Sequence, residues 1–313
     1  MTGTCTAQAC TPACIPGAEA METATAANAV GRTRRALRLL GLVAALGAGL
    51  CLLAALTSWP GRGRQRRAGW ALKRLSRWVL RSLGVRLAVH GAPRTGPSVV
   101  VGNHVSWLDV LALSASAPMR MVAKSEVGQW PVIGGAARRC GTIFLERDRL
   151  STLPATVADI TAALRAGSRV QVFPEGTTRC GSALNPFRRA AFQAAVDAGV
   201  VISPVTIRYT DGQDGFTAQP AFLGAESLLE SVRRVLAVRS LTVRVHWLRP
   251  IPAIAGTGRD AVDRATVALL AQNSVARNLG LPVLGGTACV TAPAVRVGSA
   301  EARVQLQSAQ RPR

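Results

Sequence analysis

A chain of 313 residues holds one large α/β domain with extensions. Its formal charge of +22 calls for an anionic partner: a nucleic acid, a membrane surface or a polyanionic cofactor. Aromatic content of 4% without aromatic–basic interleaving argues against specific nucleic-acid binding, which stays a remote alternative, and seven scattered cysteines without a C-x-x-C pair point to a reduced, intracellular domain with no metal site.

Residues 1–30 are Ala/Thr-rich with few large apolar side chains and read as a disordered tail. Leu39 to Trp59 then runs without a charge and is long enough to cross a bilayer as a helix. Arg32, Arg34, Arg35 and Arg38 precede it; Arg62, Arg64, Arg66 and Arg67 follow. Cations on both sides select no orientation, so a shallow hairpin with both ends cytoplasmic is equally allowed. A cleaved secretory signal is the alternative, and the long preceding tail argues against it. Trp70 to Leu87 is amphipathic, with Leu72, Leu75, Val79 and Leu83 on one side and Lys73, Arg77 and Arg81 on another. This helix either lies among anionic headgroups or packs on its own domain; the apolar neighbour favours the first. Residues 31–83 are therefore read as membrane-associated helices.

From 84 to 255 strands and helices alternate. Strands are expected at 85–90, 98–102, 119–123, 141–146, 169–173, 201–208 and 241–247. Helices are expected at 107–115, 131–139, 153–166, 187–198 and 226–237. The fold class is α/β: a mixed, mainly parallel sheet covered by helices, with the membrane-associated segment at its N-terminus. Residues 256–313 add a helix at 259–278 and an irregular tail.

Ligand sites in such folds collect at the C-terminal ends of strands, where four stretches here are chemically unusual. In the first, Val99–Val101 delivers the backbone through Gly102 and Asn103 to His104, and Asp109 follows five residues later. Ser106 with Asp109 reads as a helix start, so the histidine sits on a turn and the aspartate in the first helical turn. A carboxylate on one imidazole nitrogen fixes the tautomer and leaves the other nitrogen as a base. A hydrogen-bonded turn histidine and a capping acid are the plain alternatives. The second stretch is Gly141 to Arg147, the third Val172 to Arg179, and the fourth Val201 to Val205, a strand interrupted by Pro204. Arg147, in a charged cluster with Asp148 and Arg149, is either a solvated surface residue or an anion contact. Glu175 either orients neighbouring amides or meets substrate hydroxyls. Pro204 marks a sheet edge or shapes a site wall.

Taken together, these stretches resemble the glycerolipid acyltransferase family of the lysophosphatidate acyltransferase type. The blocks are N-H-x4-D at Asn103, His104 and Asp109; G-x-x-F-x-x-R at Gly141, Phe144 and Arg147; F-P-E-G-T from Phe173 to Thr177; and Pro204. The resemblance spans residues 80–255. It implies transfer of a fatty acyl group from acyl-CoA or acyl carrier protein to the sn-2 hydroxyl of 1-acylglycerol 3-phosphate. His104 would be the general base and Asp109 its partner. Lys124, Gly141, Phe144, Arg147, Glu175, Gly176, Thr177, Arg179 and Pro204 would bind substrate. Backbone amides near Gly176 and Thr177, or at the helix start after His104, would stabilise the tetrahedral intermediate. No metal or cofactor is implied beyond the thioester co-substrate. The site would face an anionic membrane surface, at the cell membrane with the catalytic domain on the cytoplasmic side. One departure stands out. The third block often continues E-G-T-R, whereas Thr178 follows here and Arg179 comes one place later. That shift leaves room for another lysolipid acceptor, such as lyso-ornithine lipid.

Overall fold

The three valines of Val99–Val101 feed both faces of one sheet. Val100 packs into one hydrophobic cluster while Val99 and Val101 pack into another, as strand alternation requires. A strand buried on both sides belongs inside a helix-covered parallel sheet. The computed structural model describes residues 10, 29–61, 63–146, 149–224, 226–253 and 263–284. The tail expected at 1–30 lies almost wholly outside the described residues, as do Arg62, Arg147 and 285–313.

The chain opens with α1 (Arg32–Ser58) and α2 (Arg64–Ser82). It continues through β1 (Val85–His90), β2 (Ser98–Gly102), α3 (Leu108–Ser116), β3 (Arg120–Lys124), α4 (Ser125–Gln129), α5 (Ile133–Arg139) and β4 (Ile143–Leu145). Then follow α6 (Leu153–Arg165), β5 (Arg169–Val172), α7 (Ala190–Ala198), β6 (Val201–Thr210), α8 (Leu228–Ala237), β7 (Leu241–Trp247) and α9 (Arg264–Leu279). The sheet order is β1-β7-β6-β2-β5-β3-β4. From β6 to β4 all neighbours are parallel; β7 runs antiparallel to β6, and β1 is parallel to β7. The sheet is thus mixed and mainly parallel. Residues of α1, α2, α3 and α8 cover one face, and α6, α7 and α9 cover the other.

Several elements depart from the sequence pattern. The amphipathic helix does not run to Leu87. It ends at Ser82, Gly84 turns the chain at φ 75°, and Val85 opens β1. Leu83 and Leu87 fit helical spacing, but leucine spacing alone cannot tell a helix end from a strand start. Nor does the apolar side of α2 face lipid: Leu75, Val79 and Leu83 are buried in the domain core, leaving Arg74, Arg77 and Arg81 outside. The helix expected at 131–139 is α5, starting at Ile133, and a short helix the pattern did not announce, α4, precedes it across Pro131. Strand β6 extends to Thr210, two residues beyond the expected end.

Helix α1 buries one stripe, Arg38, Leu42, Ala45, Gly49, Leu53 and Thr57, spaced at three to four residues. Leu42 and Ala45 pack into the sheet core with Leu75 and Val79, and Leu53 packs with Ala68 and Ala71 of α2. The opposite side leaves Leu37, Leu40 and Val43 more than 60% exposed. By length and composition α1 is apolar enough to cross a membrane. Arg38 is buried at its inner side and donates to the carbonyls of Leu236, Val238 and Arg239 at 3.0, 2.6 and 3.3 Å. These carbonyls end α8, so the guanidinium caps that helix from another element.

Candidate active site

The chemistry gathers where β2, β5 and β6 end on the same edge of the sheet. His104 lies two residues past the end of β2, Phe173 follows β5 directly, and Tyr209 is the last-but-one residue of β6. Register places Gly102 opposite Val205, so Tyr209 rises beyond the end of β2. Asn103 ties the two strands there: its amide donates to Ile207 O, and Ile207 N donates back, both at 2.8 Å.

His104 Nδ1 meets Asp109 Oδ2 at 2.8 Å. The same oxygen accepts from the amides of Val105 at 2.6 Å and Ser106 at 2.9 Å. The Ser106 bond is the reach-back of a capping acid, so Asp109 serves the helix start and the imidazole at once. Oδ1 accepts from the Tyr209 hydroxyl at 2.5 Å. Burial, then the Asp109 charge, pushes that hydroxyl well above its ordinary pKa, so it stays a donor. Four donors therefore surround a carboxylate with no solvent exposure. They hold its charge in place, and the charge orients Nδ1–H. Phe173 stacks on the imidazole, centroids 3.7 Å apart and planes 4° from parallel. The histidine side chain keeps 14% exposure, and among the described residues Nε2 has no hydrogen-bond partner. The arrangement is a base with an open nitrogen, locked on its other nitrogen and one face.

Glu175 supports this turn from behind. Its Oε1 accepts from the His104 amide at 2.8 Å and Oε2 from the Asn185 amide at 2.9 Å. Burial pushes its carboxyl up to about 7, against the pull of those amides and of the Arg179 charge. Its two oxygens thus meet protein amides. Arg179 donates its own amide to His104 O at 2.7 Å, and its side chain is buried at 1% exposure. The shifted arginine therefore points into the protein. Thr178, in the place before it, donates its hydroxyl to Phe222 O.

The remaining residues expected at the site are spread more widely. Lys124 ends β3, exposed on the same sheet edge. Phe144 pairs with Ala123 on β4. Gly141 lies at the opposite, N-terminal end of β4, where φ 73° lets it close α5: its amide donates to Arg138 O and that of Thr142 to Ala137 O. Pro204 is buried in a central strand, opposite Val101, not at a sheet edge. Gly176 turns after β5 with its amide on Phe173 O, and Thr177 beside it is exposed. The amides at the helix start also differ from expectation: Val105 and Ser106 are taken by Asp109. Among the described residues the Thr177 amide has no acceptor within the chain. Cys140 is buried and its thiol is pushed up to about 11, which makes it inert.

Sequence reasoning missed Tyr209. The signal was present: it is the chain's single tyrosine, next to a strand rich in Val and Ile. It also missed that Trp107, inside the His–Asp turn, donates Nε1–H to Ser231 of α8 at 3.1 Å.

A carboxylate-backed imidazole with an open nitrogen at the end of a parallel strand is an arrangement that can take a proton from a hydroxyl or a water. A family model described as Acyltransferase matches residues 86–208. The lyso-ornithine lipid O-acyltransferase of Pseudomonas aeruginosa is 36% identical over 247 residues, 77% of this chain and 90% of that protein. The 1-acyl-sn-glycerol-3-phosphate acyltransferase of Neisseria meningitidis is 35% identical over 180 residues, 57% of this chain and 70% of that one. The crystal structure of the 1-acyl-sn-glycerophosphate (LPA) acyltransferase PlsC from Thermotoga maritima superposes with a TM-score of 0.61 at 16% identity, covering 79% of this chain and 94% of that one. The chain belongs to the acyltransferase family, among enzymes of the lysophospholipid type.

Proposed function

We propose that this enzyme moves a fatty acyl group from acyl-CoA or acyl carrier protein to the sn-2 hydroxyl of 1-acylglycerol 3-phosphate, giving phosphatidate. The carrying observation is the open Nε2 of an imidazole whose Nδ1 is held 2.8 Å from a buried carboxylate. His104 Nε2 takes the hydroxyl proton as the oxygen attacks the thioester carbonyl. Asp109 stabilises the imidazolium that forms. The tetrahedral oxyanion accepts a hydrogen bond from the Thr177 amide, which has no acceptor among the described residues. As the C–S bond breaks, His104 returns its proton to the departing thiolate, and the ester and free thiol leave. Glu175 and Tyr209 are positioning residues that act through the His104 amide and through Asp109. Lys124 supplies a cation for the acceptor phosphate, with Arg147 beyond the described residues as its expected partner.

A second acceptor, lyso-ornithine lipid, is favoured by one observation. Arg179 is buried beside Glu175 and offers no surface to a phosphate. The 90% coverage of the Pseudomonas relative supports the same reading.

The membrane reading rests on α1 and α2 together. The two helices pack antiparallel, Leu53 against Ala68 and Ala71, and Arg67 Nε donates to Leu56 O at 2.9 Å. If α1 crossed the bilayer, α2 would carry Arg66, Arg74, Arg77 and Arg81 into hydrocarbon, each costing roughly 3 kcal/mol or more. The hairpin therefore lies in one leaflet, with the outer side of α1 in the acyl region and the domain on the cytoplasmic side.

The test is an acceptor panel with purified enzyme, offering lysophosphatidate and lyso-ornithine lipid with each donor. His104→Ala is expected to abolish transfer to either acceptor while the protein still sediments with vesicles. Wild-type transfer by a folded His104→Ala enzyme would sink the mechanism.

A further inference from the structure

The turn between α4 and α5 combines backbone strain with exposed apolar side chains. Val132 stands at φ 64°, ψ −55°, and the Ile133 amide donates to Pro131 O at 2.6 Å. This is a positive-φ γ-turn, a rare and strained conformation, and β-branched residues are its poorest occupants. These side chains nevertheless stay in the open: Trp130, Val132 and Ile133 are 40%, 64% and 45% exposed. Strain that holds three large apolar groups outward makes sense where a non-aqueous medium receives them.

The turn is not a frayed loop. The Gly134 amide donates to Trp130 O at 2.9 Å, and α4 and α5 approach so closely that a Cβ on Gly134 would lie 2.1 Å from Gly128 O. Arg138 donates to the same Gly128 carbonyl. The base of this small hairpin is fixed to the larger one: Ala136 packs against the cluster of Leu53, Ala68, Ala71 and Cys140, and Gln65 donates to Cys140 O at 2.6 Å. The exposed apolar turn is thus continuous with the helix whose outer face is also apolar. Exposed Lys124, Arg138 and Arg139 flank it, against the acids Glu126 and Glu146. That charge suits anionic headgroups.

We propose that Trp130–Ile133 is a second membrane-insertion element, occupied by the acyl region of an anionic leaflet beside α1. The inference rests on the reading that α1 lies in a leaflet. Insertion there brings the ends of β3 and β4, on the edge that carries His104, down to the lipid surface. The lysolipid then reaches the base without leaving the membrane.

The experiment uses the full chain and vesicles of equal parts phosphatidylcholine and phosphatidylglycerol, with brominated acyl chains to quench tryptophan. Val132→Asp with Ile133→Asp is expected to weaken vesicle partitioning about tenfold per side chain. Transfer to vesicle-embedded lysolipid falls with it, while transfer to a dispersed short-chain lysolipid is unchanged. Trp130→Phe removes part of the lipid-quenched fluorescence. Val132→Gly guards against misfolding: it relieves the turn, so melting without vesicles moves up while partitioning weakens. Leu40→Asp with Val43→Asp separates the two readings. If that α1 variant loses binding while the turn variants partition and quench like wild type, the turn proposal fails alone. If neither set changes partitioning, the reading of α1 fails as well. If the turn variants instead dissociate a dimer of the free protein, the surface is a protein interface and the proposal is overturned.

Discussion

Replacing Tyr209 by Phe removes one oxygen from the interior and keeps the ring. That oxygen donates to Asp109 Oδ1 at 2.5 Å, and the tyrosine is 1% exposed. A hydrogen bond to a buried charge is worth about 1.5–3 kcal/mol. If the bond serves to hold Asp109 for the imidazole, that energy is felt as the imidazolium forms, and kcat falls by about tenfold or more. KM stays near wild type, since Tyr209 is fully buried and cannot touch substrate. A purely structural role would lower the melting temperature alone. A positioning role also moves the acid limb of the kcat/KM profile to lower pH, because an Asp109 carboxylate no longer held against the imidazole stabilises the imidazolium less. The assay is acyl transfer at saturating thioester across pH, with circular dichroism to confirm folding. Unchanged kcat and an unmoved acid limb in a folded Tyr209→Phe enzyme would refute the reasoning.

Glu175→Gln tests the support behind the turn. The wild-type carboxyl is raised in the fold to about 7 from an ordinary value of 4.5. A raised folded value gives stability that is complete below the unfolded value and lost as pH rises through about 7, here about 3 kcal/mol. Thermal melts of wild type should fall over that window and those of Glu175→Gln should be flat; equal slopes would remove the linkage. The variant should also melt lower in acid, because its NH2 faces one of the two backbone amides that Glu175 accepts from. Gly102→Ala would place a Cβ 2.6 Å from Val205 O, between two central strands. It should cost about 2 kcal/mol and lower acyl transfer, since His104 lies two residues on. A wild-type melt would mean that the strands yield freely.

The parallel core was legible because strand and helix periods alternate cleanly from β2 to β7. The His–Asp pair was legible because it is local: five residues span a turn. What lay hidden depended on distance along the chain. Tyr209 reaches Asp109 across one hundred residues, and Ser231 reaches Trp107 across one hundred and twenty-four. Nothing in local spacing carries such pairings. The direction of Arg179 was equally hidden, since a one-residue shift at a turn decides between solvent and core. The inward face of α2 was misread for another reason. An amphipathic helix has the same pattern whether its apolar side meets lipid or protein, and only the position of α1 and α3 decides.

Arg38 sits in the helix read as lipid-facing, yet its guanidinium closes the end of α8, the helix that also holds Trp107. Val30 adds a backbone bond to Ala237, and Leu42 and Ala45 complete a core shared with the sheet. The anchor is therefore not a detachable leash. Cutting the chain before α2 would uncap α8, strip apolar cover from the sheet and slacken the turn that bears His104. Attachment and architecture are one object here, and a shortened protein that stays in solution would report on a damaged enzyme, not on an unanchored one.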